Sequence, residues 1–202
     1  MSFSTPLIFF GLPEGPKCSR PVKGKKGGLP VTDAARVRSF PPVADERSRV
    51  LVLGSMPGVR SLRAHQYYGN PNNHFWRILY ALAENREPDP DYESRIAFAL
   101  RHGVALWDTI ASCVRPGSLD SDIREPVPND IPGLLRRYPN IEAIACNGAK
   151  SHAMLMKYYG RDPSVAARTV LKLPSTSPIP TPRYRGFADK LEAWRALSAW
   201  LE

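Results

Sequence analysis

From Val50 onward the sequence repeats one device: a short aliphatic run, a polar turn, then apolar residues at helical spacing. The runs are 49–54 (RVLVLG), 103–107 (GVALW), 141–146 (IEAIAC) and 168–173 (RTVLKL), and helical periodicity covers 73–84, 91–101, 130–137, 149–158 and 187–200. Strands joined through helices pair in parallel, and a parallel sheet needs cover on both faces. The expected fold is α/β, with a four-stranded, mostly parallel sheet.

The turns that follow the four runs are more informative than the runs. They read GSMPG, DTIASCVRPGSLDSDI, NGAK and PSTSPIPTPRYRG. In an open parallel sheet such loops share the carboxyl edge, where ligands bind. Turning the chain does not require Asn, Ser and Tyr in all of them, so a binding site is expected on that rim.

With 202 residues and 43% hydrophobic side chains, the chain suits one domain plus an extension. Residues 1–40 are rich in Pro, Gly and Lys and are read as a flexible basic extension, with the domain at 41–202. The net charge is +9, of which residues 1–40 carry +5, so much of the basic character lies in the extension. A basic chain fits a polyanionic partner such as nucleic acid. Cys18, Cys113 and Cys146 lack paired spacing, which argues against a disulfide framework or thiolate metal site. No run of about 18 apolar residues or signal-peptide pattern is present, and a cytoplasmic protein without membrane association is expected.

Several chemistries lack their motifs. Neither GxGxxG nor GxxxxGK[ST] occurs, which disfavours a nucleotide cofactor, and no GxSxG elbow supports a serine hydrolase. His65, His74, His102 and His152 have no metal-ligand spacing, so no metal is expected. What remains is neutral and hydrogen-bonding: Ser55, Asn70, Asn72, Asn73, Asn147, Ser175 and Ser177, beside Tyr67, Tyr68, Phe75 and Trp76. An asparagine amide sets a donor beside an acceptor and can read a nucleobase edge, while an aromatic face stacks on the ring. Phe75 and Trp76 also suit the core at a helix start, with Asn70 or Asn72 as its cap. Asp120 and Asp122 fit local loop bonding and are not assigned to catalysis.

The blocks LVLGSMPGVRSLRAHQYYGNPNNHFW, GVALWDTIASCVRPGSLDSDI, CNGAK and LPSTSP, in this order, resemble the uracil-DNA glycosylase superfamily, most closely its hypoxanthine-DNA (DNA-deoxyinosine) glycosylase branch. The likeness runs from about Ser39 to the C-terminus. It implies a three-layer α/β/α sandwich and a cofactor-free monomer that removes a deaminated base from DNA, hypoxanthine first and uracil or a non-catalytic binding role as alternatives.

Related mismatch-specific uracil glycosylases place a water-activating asparagine where this chain has Met56, which cannot do that work. The resemblance instead implies catalytic roles for Asn73, at the attacking water, and Asn147, at the base. It implies a base pocket of Gly54, Ser55, Met56, Pro57, Tyr68 and Phe75, with Tyr68 stacking on the base. Leu173 stands where many uracil enzymes carry a histidine, which weakens the case for uracil. For DNA contact the candidates are Ser175 and Ser177 on a phosphate, Ile179 as an apolar wedge, and Lys150, Arg183 and Arg185.

Overall fold

The structure is a computed structural model, and it describes residues 36–201. The flexible extension expected over residues 1–40 lies mainly outside the described residues. Its last part does not: Arg36–Arg38 forms a strand, β1, and Phe40 packs against the core, so the chain is already in the fold before residue 41.

Four parallel strands form the main sheet: β2 (Val50–Gly54), β3 (Val104–Asp108), β6 (Ala143–Asn147) and β7 (Thr169–Leu173), in the order β3-β2-β6-β7. Between β3 and β6 lie β4 (Ile110–Val114) and β5 (Arg124–Pro128), which pair with β1 in a second, antiparallel sheet of order β1-β4-β5. The helices are α1 (Val59–Ala64), α2 (Phe75–Ala83), α3 (Tyr92–Arg101), α4 (Ile131–Arg137), α5 (Ala149–Tyr159), α6 (Pro163–Ala166) and α7 (Phe187–Trp194).

The three layers follow from the two-residue period of a strand. Every side chain of Val50-Leu51-Val52-Leu53 is fully buried, and successive residues point to opposite faces. Val50 and Val52 join a cluster with Phe75, Ile78 and Tyr80 of α2, Phe98 of α3 and Trp194 of α7. Leu51 and Leu53 join another with Ile131 and Leu135 of α4, Leu155 of α5 and Val165 of α6. Each such side chain contributes about 1.5–3 kcal/mol by leaving water, and both faces of the sheet are thereby covered. Asp91, Asp130 and Asp162 cap α3, α4 and α6 by accepting main-chain N–H bonds.

Two expected elements end differently. The pattern over 187–200 is α-helical only to Trp194 and continues as 3-10 turns over Arg195–Trp200. The predicted helix at 73–84 starts at Phe75, and the main-chain N–H of Phe75 is held by the Asn73 side chain rather than by Asn70 or Asn72.

The fold sets up the site in two ways. The chain passes from β2 to β3 on one side and later to β6 on the other, so the carboxyl ends of β2 and β6 flank the switch point of the sheet. The second sheet sends the chain back over that edge through residues 115–122, which lie against the first loop. Ser118 Oγ accepts from Val59 N–H at 2.9 Å, and Ser55 Oγ donates to Asp120 Oδ1 at 2.6 Å.

Candidate active site

A cleft of about 460 Å³ opens at the carboxyl edge. Its walls come from the carboxyl ends of all four strands of the main sheet and from the connection between β4 and β5: Gly54–Gly58 at the end of β2, Asp108 at the end of β3, Ser118–Asp120 between β4 and β5, Asn147 at the end of β6, and Ser175–Ile179 after β7. Tyr67, Tyr68, Asn70 and Asn73 of the segment before α2, Arg60 and Ser61 of α1, and Thr181 also line it.

The first loop is held from below. Arg115 is 3% exposed, and its guanidinium donates to the carbonyls of Met56 and Pro57. Hydrogen bonds from a charged donor are among the stronger ones, and these fix the direction of the GSMPG turn. The Met56 side chain packs with Ile110, Cys113, Ile123 and Met154, so it contributes apolar surface and shape. Ser151 Oγ donates to the Leu53 carbonyl at 2.6 Å, tying the start of α5 to the end of β2.

Tyr67 and Tyr68 separate cleanly. The Tyr67 hydroxyl is turned to the Phe40 and Pro41 carbonyls, and its main-chain N–H donates to Tyr92 Oη at 2.9 Å. Tyr68, at φ 53, stacks on Phe75 with centroids 3.9 Å apart, and its hydroxyl lies within hydrogen-bonding reach of Asn147. Burial raises both phenols well above the usual tyrosine range, so both remain neutral donors. Phe75 is fully buried and does not line the cleft; the sequence assignment to the base pocket is corrected to a supporting ring beneath Tyr68.

Asn73 reaches the cleft with its amide oriented. Its Oδ1 accepts from Phe75 N–H at 2.9 Å, and its own N–H donates to the Asn70 carbonyl at 2.8 Å. The Nδ2 end is thereby left for the cleft. Asn70 lies beside it, with Oδ1 accepting from Arg60 and from Asn72 N–H. Asn72 is exposed and lines no part of the cleft.

Asn147 is 9% exposed and engaged on both sides by one residue. Its Nδ2 donates to Thr176 Oγ1 and its Oδ1 accepts from Thr176 N–H, each at 2.9 Å. Thr176 also accepts the His74 N–H on its carbonyl, at 2.9 Å. This residue, 1% exposed, joins the loop before α2, the end of β6 and the loop after β7. Gly148, at φ 102, passes close to Ser175, where a Cβ would come within 3.2 Å of the serine Cβ. Thr176→Val keeps the shape but leaves the buried Asn147 N–H without its acceptor. Its expected cost is about 1–3 kcal/mol in denaturant unfolding.

The loop after β7 has two further anchors. Trp194 Nε1 donates to the Pro174 carbonyl at 2.9 Å. Lys190, 1% exposed, donates to the carbonyls of Ser177 and Ile179, and burial lowers its pKa. Ser175 and Ser177 stand on the cleft wall, each accepting a bond from a main-chain N–H two residues ahead. Ile179 is 57% exposed at the mouth, and Leu119, from the connection between β4 and β5, is 53% exposed on the same cleft. Lys150, Arg183 and Arg185 do not line the cleft. Arg183 lies over Tyr184, and Arg185 offers its main-chain N–H to Asp189.

Sequence reasoning missed Thr176, Lys190, Arg115 and Asp108. The last is the most unusual of them. Asp108 ends β3, is 4% exposed and lines the cleft, and its Oδ2 is buried without a hydrogen-bond partner. Burial raises its carboxyl to about 8, with Arg115 opposing and Asp120 adding. Among the described residues no group of three His, Cys, Asp or Glu side chains could hold a metal ion, and no helix is long and apolar enough to cross a membrane.

Comparison with known proteins agrees with this geometry. Residues 41–198 match the model of the uracil DNA glycosylase superfamily. A protein named hypoxanthine DNA glycosylase from Methanosarcina acetivorans is 41% identical over 115 residues, covering 56% of this chain and 72% of the relative. One of the same name from Methanosarcina barkeri is 38% identical over 114 residues, with the same coverage. A solution NMR structure from Methanosarcina acetivorans, described as a candidate uracil DNA glycosylase, superposes with a TM-score of 0.63 at 31% identity, covering 81% of this chain and 96% of that one. With a four-strand parallel sheet, a hydrogen-bonding cleft at its carboxyl edge and these relatives, the chain belongs to the uracil DNA glycosylase superfamily, in its hypoxanthine DNA glycosylase branch.

Proposed function

We propose that this protein hydrolyses the N-glycosidic bond of a deaminated base in DNA, with hypoxanthine as the preferred base. The observation that carries the reading is the pairing of Asn73 and Asn147 on one cleft that also holds Tyr68 and Asp108. A base turned out of the duplex meets an aromatic ring, amide donors and a buried acid there, the set that reads a flat, polar-edged ring.

Bond cleavage leaves positive charge on the sugar and negative charge on the base. The Nδ2 group of Asn73 holds the attacking water near C1′. An amide is a poor base, so the water attacks after the base has largely departed, and stabilising the leaving group carries most of the barrier reduction. Asn147 acts at the base and, through Thr176, sets the loop after β7 against it. Ser175 and Ser177 hold the neighbouring phosphate, while Ile179 and Leu119, exposed on the cleft, enter the space vacated in the stack. Lys150, Arg183 and Arg185 contribute long-range attraction to DNA; neutralising one that pairs with a phosphate lowers the salt slope by about one unit.

End-labelled duplexes carrying hypoxanthine, uracil, xanthine or no lesion, treated with alkali after incubation, test the reading. Strand breaks at hypoxanthine ahead of uracil support it. Equal or better cleavage at uracil transfers the preference to that base, and tight lesion binding without an abasic product favours a binding module.

A further inference from the structure

Asp108 and Gly54 are register partners at the ends of neighbouring strands. The carboxyl lies across the glycine so closely that a Cβ on Gly54 would stand 2.3 Å from Asp108 Oδ1. The chain thus spends a glycine to seat an acid in a dry position and gives its Oδ2 no partner. Buried polar groups without partners are uncommon, because each costs stability and nothing in the fold gains from it. The other such atom among the described residues is Arg115 Nε, and an acid seated this way on a cleft wall is available to a ligand.

The ionisable groups facing it are the Tyr67 and Tyr68 phenols, the Asp120 carboxyl and the Arg115 guanidinium. Arg115 donates to the Met56 and Pro57 carbonyls, and Asp120 accepts from Ser55. No contact ion pair with Asp108 is present among the described residues. Low solvation favours the neutral form, so the group carries a proton at pH 7.

We propose that Asp108 is a catalytic residue that acts as a neutral acid, hydrogen-bonding the lactam edge of the flipped base and passing it a proton as the base leaves. The proposal rests on the glycosylase reading above. A carboxylic acid sets O–H beside C=O, and a deaminated base sets C=O beside N–H, so the two edges pair twice. As the bond from C1′ to the base breaks, its electron pair stays with the base. The Asp108 proton passes to the lactam oxygen, and the base departs as a neutral hydroxy tautomer that relaxes in water. Water adds its oxygen to C1′, and the proton it loses returns to the Asp108 carboxylate. An ionised Asp108 would instead oppose the charge growing on the base.

Single-turnover excision from a hypoxanthine duplex at saturating enzyme, measured from pH 5.5 to 9.5, tests this with Asp108→Asn and Asp108→Ala, both checked for folding by thermal melting. Wild type is expected to lose rate above about pH 8. Asp108→Ala loses about 10²–10⁴-fold, the range for a positioned general acid. Asp108→Asn, which donates but does not titrate, falls between the two, and its rate no longer drops in alkali. An alanine variant close to wild type, or an asparagine variant that keeps the alkaline fall, overturns the proposal while leaving the glycosylase reading intact. A wild-type enzyme that releases no base overturns both.

Discussion

Replacing Asn73 with alanine lowers single-turnover excision of hypoxanthine by about 10²–10³-fold, the range seen when a preorganised donor is removed from a transition state, while affinity for the lesion duplex stays near the wild-type value. The split follows from where the side chain stands. Its Oδ1 is used by the main-chain N–H of Phe75, which leaves its Nδ2 to hold a water in the cleft. Met56, in the loop opposite, packs into the apolar cluster beneath and offers no amide. Alanine also removes a bond at the start of α2, worth about 0.5–2 kcal/mol. Asn73→Asp separates the roles: it keeps the acceptor for Phe75 and loses the donor. Asp with full stability and alanine-like activity assigns the loss to chemistry; Asp with wild-type activity removes Asn73 from it.

The second large effect is on stability. Asp108 is neutral in the folded protein up to about pH 8, whereas an unfolded chain ionises it near pH 4. Between those values the native state binds the extra proton, so stability decreases as pH rises, by up to about 1.4 kcal/mol per pH unit from this group. Below the window the cost vanishes, and above it the cost is constant. Asp108→Asn, which cannot ionise, should therefore gain on wild type by an amount of order several kcal/mol between pH 5 and pH 8. Urea unfolding at the two pH values measures it. A constant difference between variant and wild type would mean that the carboxyl is ionised in the folded protein, and would remove the acid from the mechanism as well.

These two residues mark the limits of what the sequence discloses. The four strands of the main sheet are legible because β-branched and aliphatic runs of this length have few other ways to bury both faces, and each starts and ends within two residues of its expected place. The second sheet is hidden: β1 has three residues, two of them arginine, and β5 carries two prolines, which read as turn. Asn73 and Asn147 are visible as amides in loops that share an edge. Asp108 is not, because LWDT reads as a strand ending in an ordinary polar turn; its meaning depends on Gly54, which is 54 positions away in the chain and adjacent only across the sheet. Ser175 and Ser177 stand out in the sequence as hydroxyls, yet the residue that joins the three loops is Thr176 between them. The family resemblance puts Phe75 in the pocket, whereas the helix start turns it inward beneath Tyr68.

The most direct test of base excision is to run the reaction on a hypoxanthine duplex in ¹⁸O-water and weigh both products. Hydrolysis at C1′ yields free, unlabelled hypoxanthine and a full-length abasic strand carrying one ¹⁸O on its sugar. Hypoxanthine still attached to the strand, or label appearing on a phosphate at a nick, would contradict the account.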